Sequence, residues 1–194
     1  MSEEGEKRTR FDDLCASYAA ARQSFFDYRD RHVAVAGKVV RGLVEYLGCP
    51  RGQVVCLLPA EEDEEHEKGP LPAAIRLGED GSWHLRVGVT VYQSPTTFPQ
   101  ERLVLTLVFK QTTEGRFAVQ VADMTSTRRE IHPDDQSAVA ALSGALFDLI
   151  SSHYRAQKRF YDGGQGEDAG VDVSQPAGEQ QVVDRIIGFR LPKN

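Results

Sequence analysis

The chain has 194 residues, 40% of them hydrophobic, and a net charge of −6, which suits one domain with a core of its own. Six acids at Glu61, Glu62, Asp63, Glu64, Glu65 and Glu67 against Lys68 give −5, and Asp162, Glu167, Asp168, Asp172, Glu179 and Asp184 against Arg185, Arg190 and Lys193 give −3, so the rest carries +2. The acidity therefore belongs to a loop and a tail, and no basic face of the kind nucleic acid needs is present in the totals or the runs.

Residues 1–8 are almost wholly polar and read as a disordered N-terminus, ahead of a single α+β domain over residues 9–162. From Phe11 the apolar positions recur at helical spacing through Leu14, Cys15, Tyr18, Phe25, Val33, Ala36, Val40, Leu43, Val44 and Leu47, which predicts helix over residues 9–47. Gly48, followed by Cys49 and Pro50, ends it, because glycine accepts the left-handed cap and proline cannot continue the ladder. Such a helix is long for a globular protein; residues 30–32 are where a kink or break would fall, and two helices fit the pattern nearly as well as one.

The period then changes to two. Short strands are expected at residues 53–58 and 73–77. Trp83, Leu85, Val87, Val89 and Val91 alternate with more polar neighbours, as do Leu103, Leu105, Leu107 and Phe109, and Phe117, Val119 and Val121. Each is the pattern of a strand with one buried face. Turn-forming joints at residues 78–81 and 113–115 make neighbours antiparallel, giving a β-meander of four to five strands.

Pro133, Asp134 and Asp135 open a second long helix that runs to about Tyr161, since proline suits the first turn and carboxylates favour the positive end of the helix dipole. Residues 163–180 are rich in Gly, Asp, Glu, Gln and Ser and read as a flexible acidic linker. An apolar segment over residues 181–194, with Ile186, Ile187, Phe189 and Leu191, follows as a docking tail. Large apolar side chains gain roughly 1.5 to 3 kcal/mol each on burial, so a docking site is expected, either within the chain or on a partner.

Chemistry is weakly signalled. Gly163, Gly164, Gln165 and Gly166 follow no strand and precede Glu167 and Asp168, which would repel phosphate. The acidic run at residues 61–67 lacks the ligand spacing of a calcium loop. No histidine pair has the i, i+4 spacing of a helical metal site, and no serine occupies a G-x-S-x-G elbow. The three cysteines, Cys15, Cys49 and Cys56, have no C-x-x-C spacing and read as reduced thiols. No catalytic residue, cofactor or metal is assigned, and the reading leans away from an enzyme. With no apolar run near the roughly 20 residues of a membrane helix, a cytoplasmic address without a membrane partner is expected.

The helices cover one face of the meander. The other face holds His84, Arg86, Tyr92, Val104, Thr106 and Val108, and Arg128 and Arg129 form the one basic cluster upstream of the aromatic and cationic end of the second helix. These residues are the candidate binding surface. The sequence therefore favours a non-catalytic protein-binding module, an adaptor, chaperone-like or immunity-type protein, whose partner is another protein or a second copy of itself. A small-molecule pocket between meander and helices, lined by groups such as His84, Arg86, Tyr92 or Arg129, is the alternative.

Overall fold

A computed structural model describes residues 9–59, 67–94, 96–98, 100–113, 115–162 and, as backbone alone, 182–186. Along the chain it holds α1 (Arg10–Leu47), β1 (Val54–Leu57), the short turn α2 (Leu71–Ala74), β2 (Ile75–Leu77) and β3 (Trp83–Val91). Then come β4 (Gln100–Thr113), β5 (Arg116–Val121), β6 (Met124–Ile131), α3 (Gln136–Tyr161) and β7 (Val182–Ile186). The architecture is α+β: an antiparallel sheet packed against a long N-terminal and a long later helix.

Alternation sets which residues face the helices. Trp83, Leu85, Val87 and Val89 pair in register with Phe109, Leu107, Leu105 and Leu103, and all eight are buried in one core. Phe117, Val119 and Val121 extend it through β5. On the helix side it is closed by Val35, Ala36, Val39 and Leu43 of α1 and by Leu142, Leu146 and Ile150 of α3. A one-residue slip would turn each strand's apolar row to the other face, so burial fixes the register.

The sheet order is β1-β3-β4-β5-β6, and β1 pairs with β3 rather than with β2. β2 shares that same edge of β3 end to end, opposite Trp83, His84 and Leu85. The far edge of β4 is shared in the same way. β5 takes residues 107–113, and β7 runs parallel to residues 100–104, with Ile186 in register with Val104. Between them the Ala122 amide donates to the Thr106 carbonyl at 2.8 Å, so β7 fills backbone positions that β5 leaves unpaired.

Residues 73 and 74, expected in a strand, belong to α2 instead, and of the alternatives left open for the first helix the structure takes the unbroken one. α1 is one uninterrupted helix of 38 residues, and the polar residue where a break was expected, His32, is fully buried. Its Nδ1 bonds the Tyr28 carbonyl at 2.8 Å, while its ring stacks on Trp83 and meets Phe117 edge-on. The sheet also gains β6, whose run Thr125, Ser126, Thr127, Arg128, Arg129 and Glu130 carries no apolar alternation. At the sheet's edge it needs little, and only Thr127 and Ile131 are buried.

α1 and α3 cross closely. A Cβ on Gly42 would lie 2.4 Å from Val139 Cγ1, and Gly144 gives room to the Tyr46 hydroxyl. Asp135 caps α3 by accepting from the Ser137 and Ala138 amides at 3.0 and 3.1 Å, and Lys38 pairs with Asp134 at 2.6 Å beside it. The linker expected at residues 163–180 and the acidic run at residues 61–66 lie outside the described residues. The stem of that run is described, with Leu58 N donating to Glu67 O and Gly69 N to Cys56 O.

Candidate functional site

The most unusual surface is the first half of α1. Its start is fixed by a capping box: the Asp12 amide donates to Thr9 Oγ1, and the Thr9 amide donates to Asp12 Oδ2 at 2.6 Å. The Thr9 hydroxyl also donates to Asp12 Oδ2 at 2.7 Å, and this bond, with that from the Thr9 amide, holds the Asp12 carboxyl below its ordinary range. Ala16, Ala19, Ala20 and Ala21 are strong helix formers, Arg22 donates to the Tyr18 hydroxyl, and Gln23 donates to Asp27 one turn on. Both guanidiniums of Arg22 and Arg29 stand 5.1 Å from the Phe26 ring. A free helix of this length is marginal in water, so local pairs and continuity with the packed half keep it formed.

Every residue from 10 to 25 is exposed, and the first buried residue of α1 is His32. Yet the exposed half carries Phe11, Leu14, Tyr18 and Phe25 with 70, 66, 64 and 44% of their surface open. With Ala21 and Tyr28 they continue, at spacings of three and four, the seam that Val35, Val39 and Leu43 bury against the body. Exposed apolar rows of this extent are uncommon on folded proteins. Phe11, Leu14 and Tyr18 form the open arm, whereas Phe25 and Tyr28 meet Trp83 of β3 with ring centroids 6.3 and 6.1 Å apart, so the chain's own sheet reaches the row from Phe25 onward.

The sequence-predicted surface does not converge. His84 and Arg86 are in register with Val108 and Thr106 on the sheet face opposite the helices, and Val104 lies opposite Gly88 on that face. These four flanking residues are half-buried, but Val104 has no exposed surface. Tyr92 follows the end of β3 and lines a cleft of about 490 Å³ with Glu101, Phe147, Ile150 and Tyr154. Arg128 and Arg129, adjacent on β6, stand three strands away from β3, and Arg129 Nη1 donates to the Ser126 and Arg128 carbonyls. Of the tail, Ile186 is in β7, whereas Ile187, Phe189 and Leu191 lie outside the described residues.

One hydroxyl, carboxylate and imidazole do meet, at the turn between β2 and β3. Asp80 accepts from the Ser82 hydroxyl and from its amide, the latter at 3.0 Å, and lies 3.5 Å from His84 Nε2. The Ser82 bonds hold the Asp80 carboxyl down to about 2. For a nucleophilic serine the imidazole must stand between hydroxyl and carboxylate, to take the proton. Here the carboxylate stands in the middle and Ser82 is buried, an arrangement that locks the turn.

Among the described residues no group of three or more His, Cys, Asp or Glu could hold a metal ion, and no helix is long and apolar enough to cross a membrane. Cys15 is exposed on the arm, and burial pushes the Cys56 thiol up, away from reactivity. Compared with protein-family models, curated proteins and solved structures, the chain finds no match.

The arm was missed in the sequence because periodicity reports which side of a helix is apolar and not how far the covering surface extends. Length was the available signal. A helix of 38 residues is about 57 Å long, more than three times the average helix of a globular domain, so part of it is expected to extend past the surface that covers it.

Proposed function

We propose that the chain is a non-catalytic protein-binding module, of adaptor, chaperone-like or immunity type, that takes its partner on the arm of α1. The carrying observation is the exposed row of Phe11, Leu14, Tyr18 and Phe25, which presents helical anchors at the spacing used by helix-in-groove and coiled-coil recognition. The sheet face favoured by the sequence supports the reading less well, because Val104 has no surface to offer. Affinity capture with the full chain tests it. Partner recovery should fall at least tenfold with Tyr18→Glu and stay unchanged with Ala16→Glu, which adds the same charge on the opposite side of the helix. Equal recovery with both variants would remove the arm from the proposal.

A second reading rests on the cleft beside Tyr92, where an apolar wall of Phe147 and Ile150 meets the polar groups of Glu101, Ser151 and Tyr154. That composition suits a small ligand. Phe147→Trp, at the exposed lip of the cleft, would report ligand entry by fluorescence, and a fragment screen without any response would end this reading.

A further inference from the structure

We infer that the arm's occupant is the arm of a second copy of this chain, running antiparallel; the inference rests on the arm being the binding surface. Three observations lead there. The first is the seam: reading Phe11, Tyr18 and Phe25 as one row and Leu14, Ala21 and Tyr28 as the other, an antiparallel two-fold brings Phe11 against Tyr28, Leu14 against Phe25 and Tyr18 against Ala21 of the second copy. Each layer joins unlike members of the two rows, and the bulkiest central ring falls against the smallest side chain, as interdigitated packing requires.

The second is steric. The chain's own body meets one side of the seam at Phe25 and Tyr28, which lie against Trp83, and beyond Tyr28 it closes over the seam through His32, Val35 and Val39. A parallel partner helix would have to continue into that volume, whereas an antiparallel one ends where the sheet begins. Antiparallel overlap from Phe11 to Tyr28 uses the exposed arm and the sides of Phe25 and Tyr28 that Trp83 leaves open, and stops where Tyr28 donates to the Gly81 carbonyl.

The third is area. Aromatic side chains present about 150 to 250 Å² each. At the exposures above, the four anchors offer about 450 Å² per copy, or about 900 Å² for the pair before flanking atoms are counted. Stable interfaces begin near about 1,000 Å². Two arms therefore suffice for a reversible, concentration-dependent dimer.

Sedimentation equilibrium of the full chain, over about a hundredfold range of concentration reaching the millimolar regime, tests the pairing. The mass should rise toward two chains for the native protein and for Ala16→Glu, and stay at one chain for Tyr18→Glu. Direction is read separately by mixing the native chain with a Cys15→Ser, Arg22→Cys variant and adding a short bis-maleimide, so that a link between positions 15 and 22 must join two chains. In the antiparallel register position 22 of the other copy lies within about 3 Å of Cys15 along the axis, whereas two Cys15 residues stand about 13.5 Å apart along it. Cross-links joining peptides 15 and 22 are expected, and predominant links between two Cys15 residues would overturn the antiparallel arrangement. A rise in mass that Tyr18→Glu does not alter would overturn the role of the arm in it. A single-chain mass throughout would overturn self-pairing. In that last case the protein-binding reading stands if capture remains sensitive to Tyr18→Glu, and falls with it if capture does not.

Discussion

Truncating one apolar stripe at its two ends should have opposite consequences for stability. In the packed half, Leu43 has no exposed surface, and Leu43→Ala should cost about 2 to 5 kcal/mol through lost burial and the cavity left behind. In the arm, Phe11, Leu14 and Tyr18 are about two-thirds exposed. Surface substitutions away from special features fall within about 0.5 kcal/mol each. Alanine is also the better helix former, by up to about 0.5 kcal/mol over an aromatic residue. The triple variant Phe11→Ala, Leu14→Ala, Tyr18→Ala should therefore unfold within about 1 kcal/mol of the native chain, although it removes more carbon than the single Leu43 change. Urea unfolding followed by far-ultraviolet circular dichroism gives both numbers, at low protein concentration so that self-association adds no stability. A loss of about 3 kcal/mol or more in the triple variant would mean that the arm packs on its own body, and would refute the overhang.

Three further outcomes follow from the packing. Gly42→Ala sets a Cβ 2.4 Å from Val139 Cγ1, and overpacking of about 1 to 3 kcal/mol should exceed the roughly 1 kcal/mol gained in helix propensity; Val139→Ala should restore stability, with a coupling above about 0.5 kcal/mol in thermal or urea unfolding. Burial holds the His32 imidazole below its ordinary value, its bond to the Tyr28 carbonyl offsetting this only in part. The folded chain then binds fewer protons than the unfolded one, so stability is complete above about pH 6.5 and falls below it by up to about 1.4 kcal/mol per pH unit. His32→Phe should flatten that slope in urea unfolding at pH 5 to 7, which lies above the window near pH 2 to 4 where Asp80 takes up its proton. Finally, ending the chain after Asp162 removes β7, and amides along residues 100–104 should exchange faster by mass spectrometry while those of β5 keep their protection.

What the sequence made legible is what burial dictates. β3, β4 and β5 have one face in the core, so Trp83, Leu105 and Val119 sit in clean alternation and their register follows. β6 was invisible because an edge strand can stay polar: Arg128, Arg129 and Glu130 are exposed, and only the backbone records the pairing. The pairing of β1 with β3 instead of β2 depends on contacts distant in sequence, which no local pattern encodes. His32 misled for a physical reason as well. A polar residue in an apolar stripe suggests a break, yet its Nδ1 is satisfied by the Tyr28 carbonyl and its ring is enclosed by Tyr28, Trp83 and Phe117. The exposed row of α1 was legible only as part of one apolar stripe, since Phe11 and Leu43 share the same periodicity and differ only in what stands opposite them.

The central claim, that the stripe of α1 beyond the body faces another polypeptide, is tested most directly by site-specific photo-cross-linking in the full chain. A photoreactive phenylalanine analogue at position 18 should give adducts of higher mass than one chain, with cross-linked peptides mapping to a partner or to residues 18–22 of a second copy. The same group at position 16, on the opposite side of the helix, should give few. Adducts from position 18 that map only to the chain's own sheet, at single-chain mass, would contradict the account.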